Sequence, residues 1–122
     1  LVQVAYAIGQ AKPVGLYINT FNTAKVKMSD GKIASKISNV FPMTPYAINQ
    51  RFQLKNPIYE ATASYGHFGR DCFEKEVEVF YENDDTYTKK IKGEKKIFKK
   101  IRFFGWEDLD YVDKIKAEFG IK

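Results

Sequence analysis

The chain has 122 residues, 44% hydrophobic and 29% charged, which bounds it to about one ordinary globular domain and excludes general disorder. Ten Phe and eight Tyr supply bulky side chains for a core, and no apolar run approaches the roughly 20 residues of a membrane-spanning helix. Net charge is +5, but residues 89–102 alone hold seven Lys and one Arg against Glu94, a local +7 that leaves the remainder at −2; this excludes a uniformly basic nucleic-acid binder and indicates one decorated hairpin.

In chain order, residues 2–8 read as a strand broken by Gly9, and residues 14–18 as a second strand. Pro13 sits at its edge, because proline lacks the N–H a ladder needs. Asn22-Thr23-Ala24 reads as a turn. Ser29-Asp30 offers an N-cap, and Ile33, Ile37, Val40 and Phe41 at i, i+4, i+7 and i+8 form one face of a helix that Pro42 ends. Thr44-Pro45 restarts a helix, with cap and first-turn proline in the favoured order and Ile48 and Phe52 on one stripe. Asn56-Pro57 repeats that signal and opens a short helix through Ile58, Ala61, Thr62 and Tyr65, which Gly66 terminates.

The glycines of Gly66-His67-Phe68-Gly69-Arg70 predict a tight turn with positive φ, in which His67 and Arg70 hydrogen-bond nearby backbone. Residues 74–81 alternate charged and apolar, a strand with one wet face. Asn83-Asp84-Asp85 turns the chain, residues 95–104 return, and Gly93-Glu94 adds a second turn between them. An acidic strand beside a basic one favours antiparallel pairing, at about 0.2–1 kcal/mol per cross-strand pair. Asp108 is expected to cap a last helix carrying Leu109, Val112, Ile115 or Lys116, and Phe119, ended by Gly120. The order of strands, helices, hairpin and helix predicts an α+β fold of two layers, a mainly antiparallel sheet with helices on one face.

Little in these residues carries chemistry alone. One His and one Cys cannot build a metal site, which needs clustered ligands. Cys72 and His67 lack an evident orienting partner beyond Asp71, so Cys72 reads as a reduced cysteine beginning a strand. The Gly66–Arg70 loop feeds a strand rather than a helix and is weak as a phosphate cradle. The lysines of residues 89–102, interleaved with Ile91, Ile97, Phe98 and Ile101, leave two readings open. They protect a sheet edge, or they bind nucleic acid or an acidic partner. No catalytic constellation and no metal site is expected. Because Leu1 opens directly on strand-like text without an initiator methionine, the chain is expected to be a piece cut from a longer polypeptide. A single cysteine and the lack of a signal-peptide pattern suit a reducing compartment.

Several segments are informative letter by letter. Val2-Gln3-Val4-Ala5-Tyr6-Ala7-Ile8-Gly9 with Ala11-Lys12-Pro13 resembles the "QVSYAIGVA-x-P" strand of S-adenosylmethionine synthetases (methionine adenosyltransferases). Phe41 to Pro45 stands where that family has "FDLRP". The run from Pro57 to Arg70 is similar to "PIYxxTAAYGHFGR", and Phe104-Gly105-Trp106-Glu107 with Asp110 to "FPWExTD". Ala5 replaces the family's Ser, Thr44 its Arg and Gly105 its Pro. Residues 72–103 form a charged hairpin inserted relative to shorter members.

The resemblance implies the C-terminal domain, residues 1–122, of an enzyme that forms S-adenosylmethionine from ATP and L-methionine with release of phosphate and diphosphate. It implies Mg2+ and K+ bound mainly by residues elsewhere, a cytoplasmic homo-oligomer (a dimer or dimer of dimers) with active sites between paired subunits, and no membrane. The family's "GxGDQG" and "GGGAFSGKD" motifs are absent, so the piece alone is expected to be inactive, supplying scaffold and one wall of the active site. One position transfers by resemblance: Ile8, the isoleucine of "YAIG", at the active-site mouth, with Ala7 and Gly9 as companions. From its own pattern Ile8 reads as a core strand residue.

Overall fold

The computed structural model describes residues 1–121. Two structural units divide the chain, residues 1–51 with those from 109 onward, and residues 52–108.

In the first unit, β1 (Val2–Ala5) pairs antiparallel with β2 (Gly15–Ile18), Val2 opposite Ile18 and Ala5 opposite Gly15. α1 (Asp30–Val40) packs on β2 and on α3 (Val112–Phe119), with Ile18 and Ile33 buried. α2 (Pro45–Phe52) follows the Pro42–Thr44 linker. Its cap is the one the sequence specifies: Thr44 Oγ1 accepts the Ala47 N–H at 3.2 Å. The α1 cap differs. Ser29 makes no side-chain cap bond. The Asp30 carboxylate instead accepts from the Thr20 N–H (3.2 Å) and hydroxyl (2.7 Å), tying the end of β2 to the start of α1. The predicted turn after β2 is present, closed by the Thr23 N–H on the Thr20 carbonyl.

Asp108 does not cap the last helix. α3 begins at Val112 after Tyr111, because Asp108 forms an ion pair with Arg102. Gly120, in the left-handed region at φ 65°, ends it as predicted. Arg51 joins the helices within this unit. Its guanidinium lies 3.5 Å from the Tyr111 ring centroid and pairs with Asp110 at 2.9 Å, while Phe41 stacks on Tyr111 at 4.9 Å.

In the second unit, the helix expected after Asn56-Pro57 contracts to a single 3₁₀ turn, Glu60–Thr62. Thr62 bonds back to the Tyr59 carbonyl through its hydroxyl at 2.7 Å, and Tyr65 adopts a positive φ of 63°, which stops further winding. The expected hairpin has three strands. β3 (Phe73–Val79), β4 (Thr86–Ile91) and β5 (Glu94–Phe103) form an antiparallel sheet in the order β3-β5-β4. Lys92 and Gly93, at φ 52° and 87°, make the two-residue link between β4 and β5, a geometry that twists with the strands it joins.

The core of this unit is Ile58, Ile101, Phe103 and Phe104, with Leu54, Ala61, Val77 and Trp106 packed against it. Burying each large apolar side chain contributes about 1.5–3 kcal/mol. The α+β class therefore holds, but the antiparallel strands belong to two sheets rather than one.

Candidate functional site

β1 ends at Ala5, three residues before the predicted strand does. The Val14 N–H on the Ala5 carbonyl (2.9 Å) closes the base of an excursion over residues 6–13, and the Gln10 N–H on the Ala7 carbonyl (3.1 Å) closes a turn at its tip. Gly9 lies at φ +82° with open space around its missing Cβ, so the turn needs glycine for conformation rather than room. This turn lifts Ile8 out of the strand. Its relative exposure is 107%, which removes the core reading within this chain. Tyr6, beneath the tip, donates its hydroxyl to the Met43 carbonyl at 2.6 Å. Where the excursion rejoins β2 lies a mostly apolar cavity of about 480 Å³, with Pro13, Val14, Leu16, Phe41 and Met43 among its walls and Lys12 among its polar groups.

In the second unit the two most family-like segments meet. The Trp106 Nε1–H donates to the His67 carbonyl at 2.7 Å, and the Glu107 carboxylate accepts the Gly69 N–H at 2.8 Å. Arg70 donates to the Ser64 carbonyl at 2.6 Å and lies over the Phe104 ring, 4.6 Å from its centroid. Gly66 and Gly69 have φ of +78° and +71°, as the loop's glycines require. The expected backbone contact is met by Arg70, whereas His67 enters through its own carbonyl and through its ring, 6.3 Å from the indole. The pattern of the loop did not name Trp106 and Glu107 as its partners. The available signal was the single tryptophan, whose N–H seeks an acceptor wherever its ring packs.

Cys72 and His67 are not brought together as a pair. The exposed Cys72 Sγ accepts from Arg102 Nε at 3.2 Å. Among the described residues no group of three or more His, Cys, Asp or Glu could hold a metal ion.

The basic run is largely neutralised within its sheet. Glu74 pairs with Lys100, Glu76 with Lys89 (2.7 Å), Glu78 with Lys96 (3.0 Å) and Asp85 with the nearly buried Lys99 (3.3 Å). The hydrogen bond from Lys100, reinforced by its charge, holds the Glu74 carboxyl below the usual glutamate range. Hydrogen bonds from Lys89 and then Tyr87 do the same for Glu76, and the latter bond raises the Tyr87 phenol. Lysines committed to carboxylates in this way are poorly available to a polyanion, and the nucleic-acid reading has no support here.

The family model for the S-adenosylmethionine synthetase C-terminal domain matches residues 1–78. The S-adenosylmethionine synthase of Cytophaga hutchinsonii is 53% identical over 124 residues, covering 100% of this chain and 27% of that protein. Those of Porphyromonas gingivalis W83 and Phocaeicola vulgatus are 52% and 49% identical, each over 99% of this chain and 26% of the relative. The chain thus spans about a quarter of the length of the curated relatives it matches.

Proposed function

The chain belongs to the S-adenosylmethionine synthetase C-terminal domain family, and on that premise we propose that it serves as the C-terminal part of a methionine adenosyltransferase. The parent forms S-adenosylmethionine from ATP and L-methionine. The methionine sulfur attacks the ribose C5′, triphosphate leaves, and one water then divides that triphosphate into phosphate and diphosphate. In this reading the present residues supply scaffold and one wall of the active site, and the groups that bind and polarise the polyphosphate belong to the rest of the parent and to its partner subunit.

The observation that carries the wall is the full exposure of Ile8 at the tip of a glycine turn. An apolar side chain at an active-site mouth excludes water, and charge interactions inside are stronger for it. The proposal assigns the Mg2+ and K+ of the reaction to residues elsewhere in the parent. The working assembly is a cytoplasmic homo-oligomer, a dimer or a dimer of dimers. Among the described residues no helix is long and apolar enough to cross a membrane.

Steady-state formation of S-adenosylmethionine by the full-length parent tests both parts. Ile8→Asp is expected to lower kcat/KM about tenfold or more, from the roughly 1.5–3 kcal/mol that burying an isoleucine contributes. A wild-type parent that makes no S-adenosylmethionine sinks the activity; an unchanged kcat/KM in Ile8→Asp sinks the wall.

A further inference from the structure

We propose that Tyr6 is a positioning residue for the Ile8 turn, its hydroxyl fastening the turn to the Met43 carbonyl; the inference rests on the reading of Ile8 as part of the active-site wall. Four observations support it. Among the described residues, the Tyr6 to Met43 bond is the one side-chain hydrogen bond that residues 6–10 make, and it spans 37 positions of chain. It is also short, at 2.6 Å, within the range of a well-formed O–H···O bond.

The anchor is stiff. Met43 lies between Pro42 and Pro45, whose rings fix φ, and the residues preceding them are confined to extended conformations. Phe41, before Pro42, shows this at φ −107°, ψ 113°. Thr44, before Pro45, is further fixed because its hydroxyl caps α2 and its carbonyl accepts the Ile48 N–H at 3.0 Å. The far end of α2 is held by the Arg51 to Asp110 pair.

Packing does not explain the tyrosine. The residue is 44% exposed, so a phenylalanine would bury as much ring. What tyrosine adds is the hydroxyl, and the hydroxyl is bonded to the linker. A turn tethered at its base by Ala5 and Val14 alone would let the tip, with Ile8, swing about that pair. The strap from Tyr6 adds a second point of attachment between base and tip.

The test is Tyr6→Phe in the full-length parent, with hydrogen exchange at the Gln10 amide and steady-state kinetics in ATP and L-methionine. Loss of one net hydrogen bond predicts about fivefold faster exchange at Gln10 and a KM raised by a similar factor at nearly constant kcat, with exchange in α1 unchanged. The double variant with Ile8→Ala should have a KM no higher than Ile8→Ala alone. Unchanged exchange and KM in Tyr6→Phe, beside a raised KM in Ile8→Ala, overturn the strap and leave the wall standing. A uniform rise in exchange through α1 overturns it as well, since that marks general loosening. If Ile8→Ala leaves KM unchanged, the wall fails, and the Gln10 amide alone decides whether Tyr6 holds the turn.

Discussion

The indole N–H of Trp106 rests on the carbonyl of His67, 39 residues earlier, and Glu107 beside it takes the N–H of Gly69. Two stretches that are separate in sequence thus hold one another in shape. Trp106→Phe keeps an aromatic ring near Phe104 but removes the donor. It is expected to cost about 1 kcal/mol of stability, read from denaturant unfolding of the full-length parent. Trp106→Ala, which also removes the partly buried ring packed beside Phe104, should cost more than Trp106→Phe. Equal losses in the two variants would mean that the hydrogen bond, not the packing, carries the clasp.

Ile101 is fully buried at the centre of the second unit, opposite Lys75 in the register. Ile101→Ala should cost about 2–5 kcal/mol, and Ile101→Val about 0.5–1.5 kcal/mol. A midpoint in urea unchanged by Ile101→Ala would show that this cluster is not a core.

Acid should loosen the three-stranded sheet. Glu74 and Glu76 have carboxyls held below the ordinary glutamate range by Lys100 and Lys89 respectively. A carboxylate depressed in the folded state stabilises the fold above its unfolded pKa, and that contribution disappears as pH falls through the depressed folded value. Side-chain carboxyl titration by NMR should therefore show both groups ionising below free glutamate, with Lys100→Met returning Glu74, but not Glu76, toward the ordinary range. A shift of both together would contradict the separate pairings.

Charge reversal should have unequal effects along the basic run. Lys96, Lys99 and Lys100 hold acidic partners, whereas Lys90, Lys92 and Lys95 have none among the described residues. Replacing the second trio by Glu is expected to leave stability within about 0.5 kcal/mol per site and S-adenosylmethionine formation by the parent unchanged. Replacing the first trio should weaken the sheet. A large loss of activity from the Lys90, Lys92 and Lys95 changes alone would give the basic tip a role in turnover.

The first unit buries few large apolar side chains and exposes many, with Val2, Ile8, Val14 and Tyr17 all more than half exposed. Apolar surface of that kind seeks cover. The isolated 122-residue piece is expected to self-associate, with a sedimentation coefficient that rises with concentration; a strictly monomeric species at high concentration would count against it.

Local chemistry was the legible part of this fold. Thr44-Pro45 announced α2 because a hydroxyl before a first-turn proline has few other uses, and Gly120 announced the end of α3 because it alone tolerates the left-handed φ there. Asp108 misled because a capping carboxylate and an ion-pairing carboxylate look alike in sequence, and Arg102 had the stronger claim. β4 was hidden because the Lys89-Lys90 pair masks its alternation, and its strand character comes from β5 beside it. Ile8 was the least legible. Its apolar neighbours continue the text of a strand, and only the Gly9 turn, with the Ala7 carbonyl taken by Gln10, lifts it away. The role proposed for it came from resemblance.

Phe73 and Phe103 stand directly opposite in the register, their rings stacked 4.9 Å apart and within 7° of parallel. Within the second unit the two ends of this excursion therefore meet at one doorway, cross-strand neighbours at such a pair being about 5 Å apart. Val77 and Ile101, just beyond it, still pack in the core, but the stretch farther out, residues 80–96, is a detour whose length the core cluster does not register. A lineage can trim, extend or rewrite such a detour while the Gly66–Arg70 turn and the Trp106 clasp keep their places, and a protein engineer seeking a tolerant point for a graft or a label would begin there.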